Sequence, residues 1–84
     1  MQNINATTPA PGTVVRLVYL DKNGRMTERL VFIIRADDKH WRGMDMVKGE
    51  PRCFRREGLL VAEEVPAEEQ QAILDRLTSL KHSN

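Results

Sequence analysis

The chain has 84 residues, a single cysteine, and thirteen basic against twelve acidic residues. This length allows one domain with a small core, and the lone cysteine excludes an internal disulfide and favours a reducing compartment. No apolar run approaches the roughly 20 residues of a membrane span, and the polar N-terminus does not have the apolar centre of a secretory signal. We therefore expect a cytoplasmic domain with no membrane contact.

The charges are unevenly distributed along the chain. Residues 25–56 carry nine basic and five acidic residues, a surplus of four positive charges, whereas residues 57–84 carry six acidic and two basic residues. Such asymmetry is typical of a basic segment that meets an anionic partner. The alternative is that the two segments pair with each other or carry ordinary solvated charge.

The N-terminal residues predict a flexible arm. Residues 1–12 are polar and contain Pro9, Pro11 and Gly12, so they offer little apolar surface to offset the entropy lost on ordering. We expect a single domain over residues 13–80, with residues 81–84 frayed.

A first hairpin follows the arm. Thr13–Leu20 is rich in β-branched residues and predicts a strand. Asp21–Gly24 predicts a tight turn, because Asn-Gly tolerates positive φ angles. Arg25–Arg35 predicts the return strand, with a face that changes from polar to apolar halfway along.

Three shorter strands and two breaks come next. Trp41 is expected to be at least half-buried, and Gly43 predicts a bulge or the close approach of another backbone. Gly49 is the expected positive-φ residue of a second turn. The predicted strands are His40–Met46, Arg52–Glu57 and Leu59–Val65.

Pro66 introduces a helix over about residues 67–80. Ile73, Leu77 and Leu80 share one stripe, and acidic residues in the first turn suit the helix dipole. The sequence therefore predicts a mainly β fold: a small five-stranded curled sheet or partly open barrel, with the C-terminal helix capping one opening.

No pattern of catalytic or metal-binding residues is present. His40 and His82 have no ligand partner at metal spacing, and Asp37-Asp38 is typical of a turn. Cys53 is predicted to be a small core residue rather than a nucleophile. We expect neither an enzyme nor a bound metal or cofactor.

Arginines are the main candidates for binding. Arg52, Arg55 and Arg56 surround Phe54 on one predicted strand, and Arg42 lies on the strand before. Guanidinium groups beside an aromatic ring suit phosphate contacts combined with base stacking. The alternative is that these arginines pair with nearby acids.

The order of features resembles the WYL domain of bacterial transcriptional regulators and its single-domain relatives. The matching residues span positions 14–62 and are Tyr19, Gly24, Arg29, His40-Trp41, Asp45, Lys48-Gly49, Arg52-x-Phe54 and Leu59-Leu60. The resemblance implies an Sm-like, SH3-type β-barrel that acts as a ligand sensor in transcription regulation. It implies that Arg29 and Arg52 bind the ligand, with Tyr19 and Trp41 as aromatic neighbours.

Two functions follow as hypotheses. The first is a stand-alone regulatory module that binds single-stranded nucleic acid or a nucleotide-like anion through Arg29, Arg42, Arg52, Arg55 and Arg56, with Trp41, Tyr19 or Phe54 stacking. The second is a protein-interaction or homodimerisation module that uses the C-terminal helix or a sheet edge.

Overall fold

Five antiparallel strands form one open sheet, and a single helix follows them. The computed structural model describes the backbone of residues 8–82 and the side chains of residues 8–76 and 78. The elements are β1 (Val14–Leu20), β2 (Met26–Ala36), β3 (His40–Asp45), β4 (Glu50–Arg55), a 3-10 turn (Arg56–Gly58), β5 (Leu59–Glu64) and α1 (Ala67–His82).

The predicted mainly β class, with five strands and a C-terminal helix, is confirmed. The strand order is β4-β3-β2-β1-β5, so β4 and β5 are the two edges of the sheet. Because these edges are not paired with each other, the sheet is open and is neither closed nor strongly curled. Side chains of non-adjacent strands still meet on one face of the sheet. Tyr19 of β1 packs edge-on against Phe54 of β4, with ring centroids 5.1 Å apart.

The first hairpin has the turn that its sequence predicts. The Asp21 carboxylate accepts hydrogen bonds from the backbone N–H groups of Asn23 and Arg25, each at 2.9 Å. Gly24 takes a φ of 81°, which an L side chain rarely adopts. The turn therefore fixes the register in which Leu20 lies opposite Met26.

One face of the sheet, here called the core face, carries the hydrophobic core. Its buried members come from all five strands and are Val15, Leu17, Val31, Ile33, Trp41, Phe54 and Leu59. The register places Trp41 directly opposite Phe54, so two large aromatic rings fill the space between β3 and β4. Trp41 is 1% exposed, which confirms its expected burial and makes it an anchor of the core.

Gly43 is required by a close backbone contact. A Cβ atom at this position would lie 2.4 Å from the Phe32 carbonyl oxygen and 2.6 Å from a Val31 methyl carbon. The β2–β3 register also shifts between Ile33 and Arg35. Both features match the expectation from sequence, because only glycine lets β2 and β3 approach this closely.

The opposite face, here called the outer face, is partly covered by α1. Glu69 of the helix pairs with Arg16 of β1 at 2.8 Å, and Gln70 donates a 2.6 Å hydrogen bond to the Val65 carbonyl. Leu74 borders a cleft with Phe32 and Met44. The helix thus lies against the outer face instead of capping a barrel opening, since an open sheet has no such opening.

The helix leaves much of the outer face uncovered. Phe32 is 41% exposed, Ile34 is 53% exposed and Leu74 is 43% exposed. Two members of the predicted helical stripe, Leu77 and Leu80, have side chains outside the described part of the structure. Among residues 8–82, no helix is long and apolar enough to cross a membrane.

The end of the predicted arm is bonded to the sheet. The backbone N–H of Gly12 donates to the Ile33 carbonyl at 2.7 Å, and the N–H of Ile33 donates to the Thr13 carbonyl at 2.8 Å. Gly12 and Thr13 are therefore held against β2, while residues 1–7 of the predicted arm are outside the described residues.

Candidate anion-binding site

Four basic side chains cluster around the turn between β2 and β3. Arg35, Lys39, His40 and Arg42, here called the turn patch, are all exposed. His40 lines two adjoining clefts, one of about 240 Å³ that it shares with Arg35 and Arg42, and one of about 400 Å³ that it shares with Lys39. The two clefts share His40, and their linings contain more arginine and lysine side chains than carboxylates, which are Asp37, Asp38 and Glu57.

Two arginines of the turn patch face each other across the strands. The β2–β3 register pairs Arg35 directly with Arg42, and like charges in directly opposed positions destabilise a sheet. Within the described residues, neither guanidinium lies within ion-pair distance of a carboxylate. The Asp37 carboxylate in the same cleft offsets part of this positive charge, and a bound anion would neutralise the remainder.

The nearest carboxylate is engaged in the turn itself. Asp37 accepts hydrogen bonds from the backbone N–H groups of His40 at 2.7 Å and Lys39 at 2.8 Å. These two bonds, that of His40 first, lower the pKa of Asp37 below its ordinary value. Asp37 therefore shapes the turn, as its sequence context predicts, and remains ionised within the patch.

The two arginines that the WYL resemblance selects are brought together elsewhere, on the core face. Arg29 donates to the Asp45 carboxylate at 2.9 Å. The Arg52 Nε lies 3.7 Å from the same carboxylate, and its terminal nitrogen lies 2.9 Å from Glu50. Two arginines and two carboxylates balance in charge, so this cluster is internally neutralised.

Asp45 is the centre of that cluster and is 2% exposed. Its burial alone would raise the pKa of the carboxyl group. Hydrogen bonds from the Lys48 N–H, the Arg29 guanidinium and the Val47 N–H outweigh burial, and the pKa of Asp45 is lowered overall. Asp45 is therefore an anion at neutral pH that holds Arg29 in place and closes the turn into β4.

Arg55 and Arg56 are also engaged within the fold. The Arg55 backbone N–H and Nε both donate to the Tyr19 hydroxyl, at 3.3 and 3.2 Å, and a terminal nitrogen pairs with Glu57 at 2.8 Å. The Arg56 guanidinium lies over the ring of Trp41, 5.9 Å from its centroid. Both arginines border the larger cleft together with Glu57, which neutralises Arg55.

The aromatic residues predicted to stack on bases are not available for that contact. Trp41 and Phe54 are 1% and 4% exposed, because both belong to the core. Tyr19 packs its ring against Phe54 and lies beneath the Arg55 guanidinium, 5.8 Å from its centroid. A ligand at the turn patch would therefore be held mainly through its phosphates.

Cys53 corrects a prediction from the sequence. It is exposed, whereas a small core residue was expected. The register explains the difference, since Cys53 lies opposite Arg42 on the outer face while its neighbour Phe54 lies opposite Trp41 on the core face. Among the residues that the structure describes, no group of three His, Cys, Asp or Glu side chains could hold a metal ion.

The sequence identifies Arg42 as a binding residue but does not single out Arg35, Lys39 or His40. These three residues could have been predicted from the short turn at Asp37 and Asp38, because a turn of this length pairs the end of β2 with the start of β3. The structure places Arg42 opposite Cys53 of β4 and Arg35 of β2.

Comparison of the chain with models of known protein families, with curated proteins and with solved structures gives no match.

Proposed function

We propose that this domain binds an anionic ligand, single-stranded nucleic acid or a nucleotide, by phosphate contacts at the turn patch. The observation that carries the proposal is the opposed pair of Arg35 and Arg42, which are exposed and have no carboxylate within ion-pair distance among the described residues. Guanidinium groups bind phosphate in a fixed two-point geometry. Lys39 and His40 extend the positive surface along the turn.

The mode of binding is electrostatic. Because the buried rings of Trp41 and Phe54 offer no stacking surface, recognition depends on the phosphate backbone more than on base identity. Binding to single strands through phosphates weakens with salt, with a slope of roughly 0.7 in log affinity against log salt for each phosphate that the protein neutralises. We expect little sequence preference and a steep salt dependence.

Arg29 and Arg52 have a supporting role in this proposal. Asp45 and Glu50 neutralise them, so they stabilise the end of the β3–β4 hairpin rather than meet the ligand. The resemblance to the WYL domain supports a sensor that acts in transcription regulation, with the ligand surface moved from Arg29 and Arg52 to the turn patch. The cytoplasm is the compartment we propose, since Cys53 is exposed and unpaired.

The experiment is an NMR titration of the labelled domain with a short oligothymidylate, then with ATP, at low and moderate salt. The double variant Arg35→Gln/Arg42→Gln should lose most of the binding. The matched control is Arg25→Gln, which removes an exposed arginine from the far hairpin and should leave affinity nearly unchanged. Equal weakening by Arg25→Gln would show a general charge effect and contradict the proposed site.

A second candidate function is assembly through the outer face. Met26, Phe32, Ile34 and Val61 are large apolar side chains that α1 leaves exposed, and such exposure is typical of an interaction surface. Sedimentation at increasing concentration tests homodimerisation directly. A monomer that also binds oligothymidylate at the turn patch would favour the first function.

A further inference from the structure

The two edges of the open sheet differ in how far their backbone groups are blocked. An edge strand presents a row of outward N–H and C=O groups that can pair with another chain, and proteins commonly block such rows with proline or lysine or by covering them. In an antiparallel strand, the backbone groups of every second residue face the neighbouring strand, and those of the residues between face outward. The observed register therefore identifies the outward groups of β4 and β5.

The β4 edge is largely blocked. The Arg56 N–H at the end of this strand donates inward to the Lys39 carbonyl at 2.8 Å, so the outward groups belong to the alternate residues, which are Pro51, Cys53 and Arg55. Proline has no N–H to donate, and the Arg55 N–H is already bonded to the Tyr19 hydroxyl at 3.3 Å. Of the three residues, Cys53 alone presents an outward N–H that has no acceptor in the described part of the chain.

The β5 edge is open at Ala62 and Glu64. The Val65 N–H donates inward to the Val14 carbonyl of β1 at 2.9 Å, so the alternate residues Ala62 and Glu64 direct their N–H and C=O groups away from β1. Residues 8–10 share a cleft with this end of β5 but make no backbone hydrogen bond to it. The strand contains neither proline nor lysine, so it keeps the backbone chemistry that accepts an added strand.

The side chains of β5 define the charge of a suitable partner. Glu63 and Glu64 are both exposed. Glu63 pairs with Arg16 at 3.5 Å, whereas no basic side chain within residues 8–76 lies within ion-pair distance of Glu64. Val61, on the same face as Glu63, is 50% exposed. A complementary strand would carry basic residues opposite the two glutamates and an apolar residue opposite Val61.

A second copy of this chain does not match the β5 edge. The β4 strand of another copy is blocked by Pro51 and by the bond of Arg55 to Tyr19. The β5 strand of another copy would bring two more glutamates to an edge that already carries two, and like charges brought together across an interface oppose binding. The charge and the backbone of this edge therefore favour a basic strand from a different protein.

We propose that the β5 edge binds an extended basic segment of a partner protein as a sixth strand. The added strand runs antiparallel to β5, as do all the strand pairs described in this sheet. Its residues opposite Ala62 and Glu64 exchange main-chain hydrogen bonds with them, and these bonds supply the affinity. Lysine or arginine opposite Glu63 and Glu64, and an apolar residue opposite Val61, supply the selectivity. The inference does not depend on the turn patch, which attracts the opposite charge.

Backbone methylation of a probe peptide tests the main-chain contacts. In acetyl-Thr-Lys-Arg-Ser-Val-Thr-amide, the two basic residues lie opposite Glu64 and Glu63, the serine opposite Ala62 and the valine opposite Val61. The peptide should shift the NMR amide resonances of Ala62 and Glu64. N-methylation of the serine, whose N–H faces β5, should weaken binding by about tenfold. N-methylation of the arginine, whose N–H faces away, should leave the affinity nearly unchanged, and equal effects of the two methyl groups would overturn the proposal.

Variants of the domain test both parts of the site. Glu64→Gln should weaken binding of the basic peptide by up to about fivefold, as expected for an exposed ion pair. The control is Glu28→Gln, which removes an exposed acid from β2 and should change nothing. Ala62→Pro removes an outward N–H without removing a bond to β1, as proline can at a sheet edge, and should abolish binding. If Ala62→Pro does not fold, the methylated peptides still test the backbone contact.

The remaining outcomes separate the proposal from its alternatives. The proposal is overturned if a peptide with glutamates in place of the two basic residues binds equally well, or if the Ala62 and Glu64 amides do not shift at millimolar peptide. Shifts of these amides with protein concentration alone would overturn it in favour of a second copy. Arg35→Gln/Arg42→Gln should bind the peptide like the natural chain, so failure at the turn patch and failure at the β5 edge are distinguishable.

Discussion

Asp45 shows how a few local contacts can compensate for the burial of a charged residue in the core of a small domain. A buried carboxylate is costly unless hydrogen bonds and an opposite charge compensate for lost hydration. Asp45 receives both, from the N–H groups of Val47 and Lys48 at 3.0 Å and from Arg29 at 2.9 Å. The residue therefore joins two strands and a turn through one side chain.

Replacing this carboxylate should destabilise the domain. Asp45→Asn keeps the shape but removes the charge that holds Arg29, and we expect a loss of about 1–3 kcal/mol in the free energy of unfolding. Urea denaturation at neutral pH, followed by tryptophan fluorescence, measures the loss in the free energy of unfolding. A loss no larger than that of Asp38→Asn, at an exposed turn position, would contradict the structural role of Asp45.

The same carboxylate should make stability depend on acid. Because the folded pKa of Asp45 lies below the ordinary aspartate value of 3.8, its contribution is complete above that value. The contribution is lost as the pH falls through the lower folded pKa. Urea midpoints measured through the acidic range should fall for the natural chain and fall less steeply for Asp45→Asn. Parallel curves for the two proteins would disprove the assignment.

Gly43 makes the close approach of β2 and β3 possible. Gly43→Ala would place a methyl group within 2.4 Å of the Phe32 carbonyl oxygen, and we expect a loss of roughly 1–3 kcal/mol from the forced shift. Gly24→Asn is the control, because Asn tolerates positive φ and nothing lies near that position. Equal urea midpoints for Gly43→Ala and the natural chain would contradict the packing described.

At the scale of elements, the β2–β3 hairpin carries a charge arrangement that opposes its own stability. Arg35 and Arg42 face each other, whereas the arginines of β2 and β4 that face the core each have an acidic partner. The arginines that face the core stabilise the fold through these ion pairs, and Arg35 and Arg42 are the arginines that we propose bind a ligand. Such a local conflict is typical of a functional site.

Removing either member of the opposed pair should therefore stabilise the free domain. We expect Arg42→Gln to raise the free energy of unfolding by a few tenths to about 1 kcal/mol at low salt, with the gain shrinking as salt screens the repulsion. Arg25→Gln should show no such gain. Thermal unfolding at two salt concentrations measures both variants, and destabilisation by Arg42→Gln would mean that its charge is compensated within the fold.

The helix α1 contributes less to stability than the strands. Leu74 is 43% exposed whereas Leu17 is fully buried. We expect Leu74→Ala to cost less than about 1 kcal/mol, because much of its surface remains in water. Leu17→Ala should cost about 2–5 kcal/mol. Comparable losses in urea denaturation would show that the helix is integral to the core.

At the scale of the whole molecule, the sequence predicts the order and type of the elements well. Strand and turn signals such as Asn23-Gly24 are local, and they place the ends of the predicted strands within about two residues of the observed ones. The helix at Ala67 follows from Pro66 in the same way. Short-range patterns therefore suffice for five strands and one helix.

What the sequence could not supply is the pairing of residues across strands. Register places Cys53 on the outer face and Phe54 in the core, and a change of one residue would exchange them. Register also places Arg35 opposite Arg42, whereas Asp45 pairs with Arg29. The candidate site depends on these long-range pairings, so only Arg42 of the turn patch could be predicted.

In the structure, some charges of the basic and acidic segments pair with each other and others remain unpaired at the surface. Arg55 of the basic segment, for example, pairs with Glu57 of the acidic segment at 2.8 Å. The turn patch keeps its positive charge at one side of the sheet, and Glu64 keeps a negative charge at another. Internal pairing therefore accounts for only part of the charge asymmetry, and the turn patch keeps a surplus of positive charge.

The most direct test of the central claim is the titration with oligothymidylate at two salt concentrations, comparing the natural chain with Arg35→Gln/Arg42→Gln and Arg25→Gln. We predict amide shifts at residues 35–42 that weaken with salt, and a salt slope that is smaller in the double variant by roughly 0.7 for each phosphate that the variant no longer neutralises. Arg25→Gln should bind like the natural chain. Binding that is insensitive to salt, or unchanged in the double variant, would show that the turn patch is not the site.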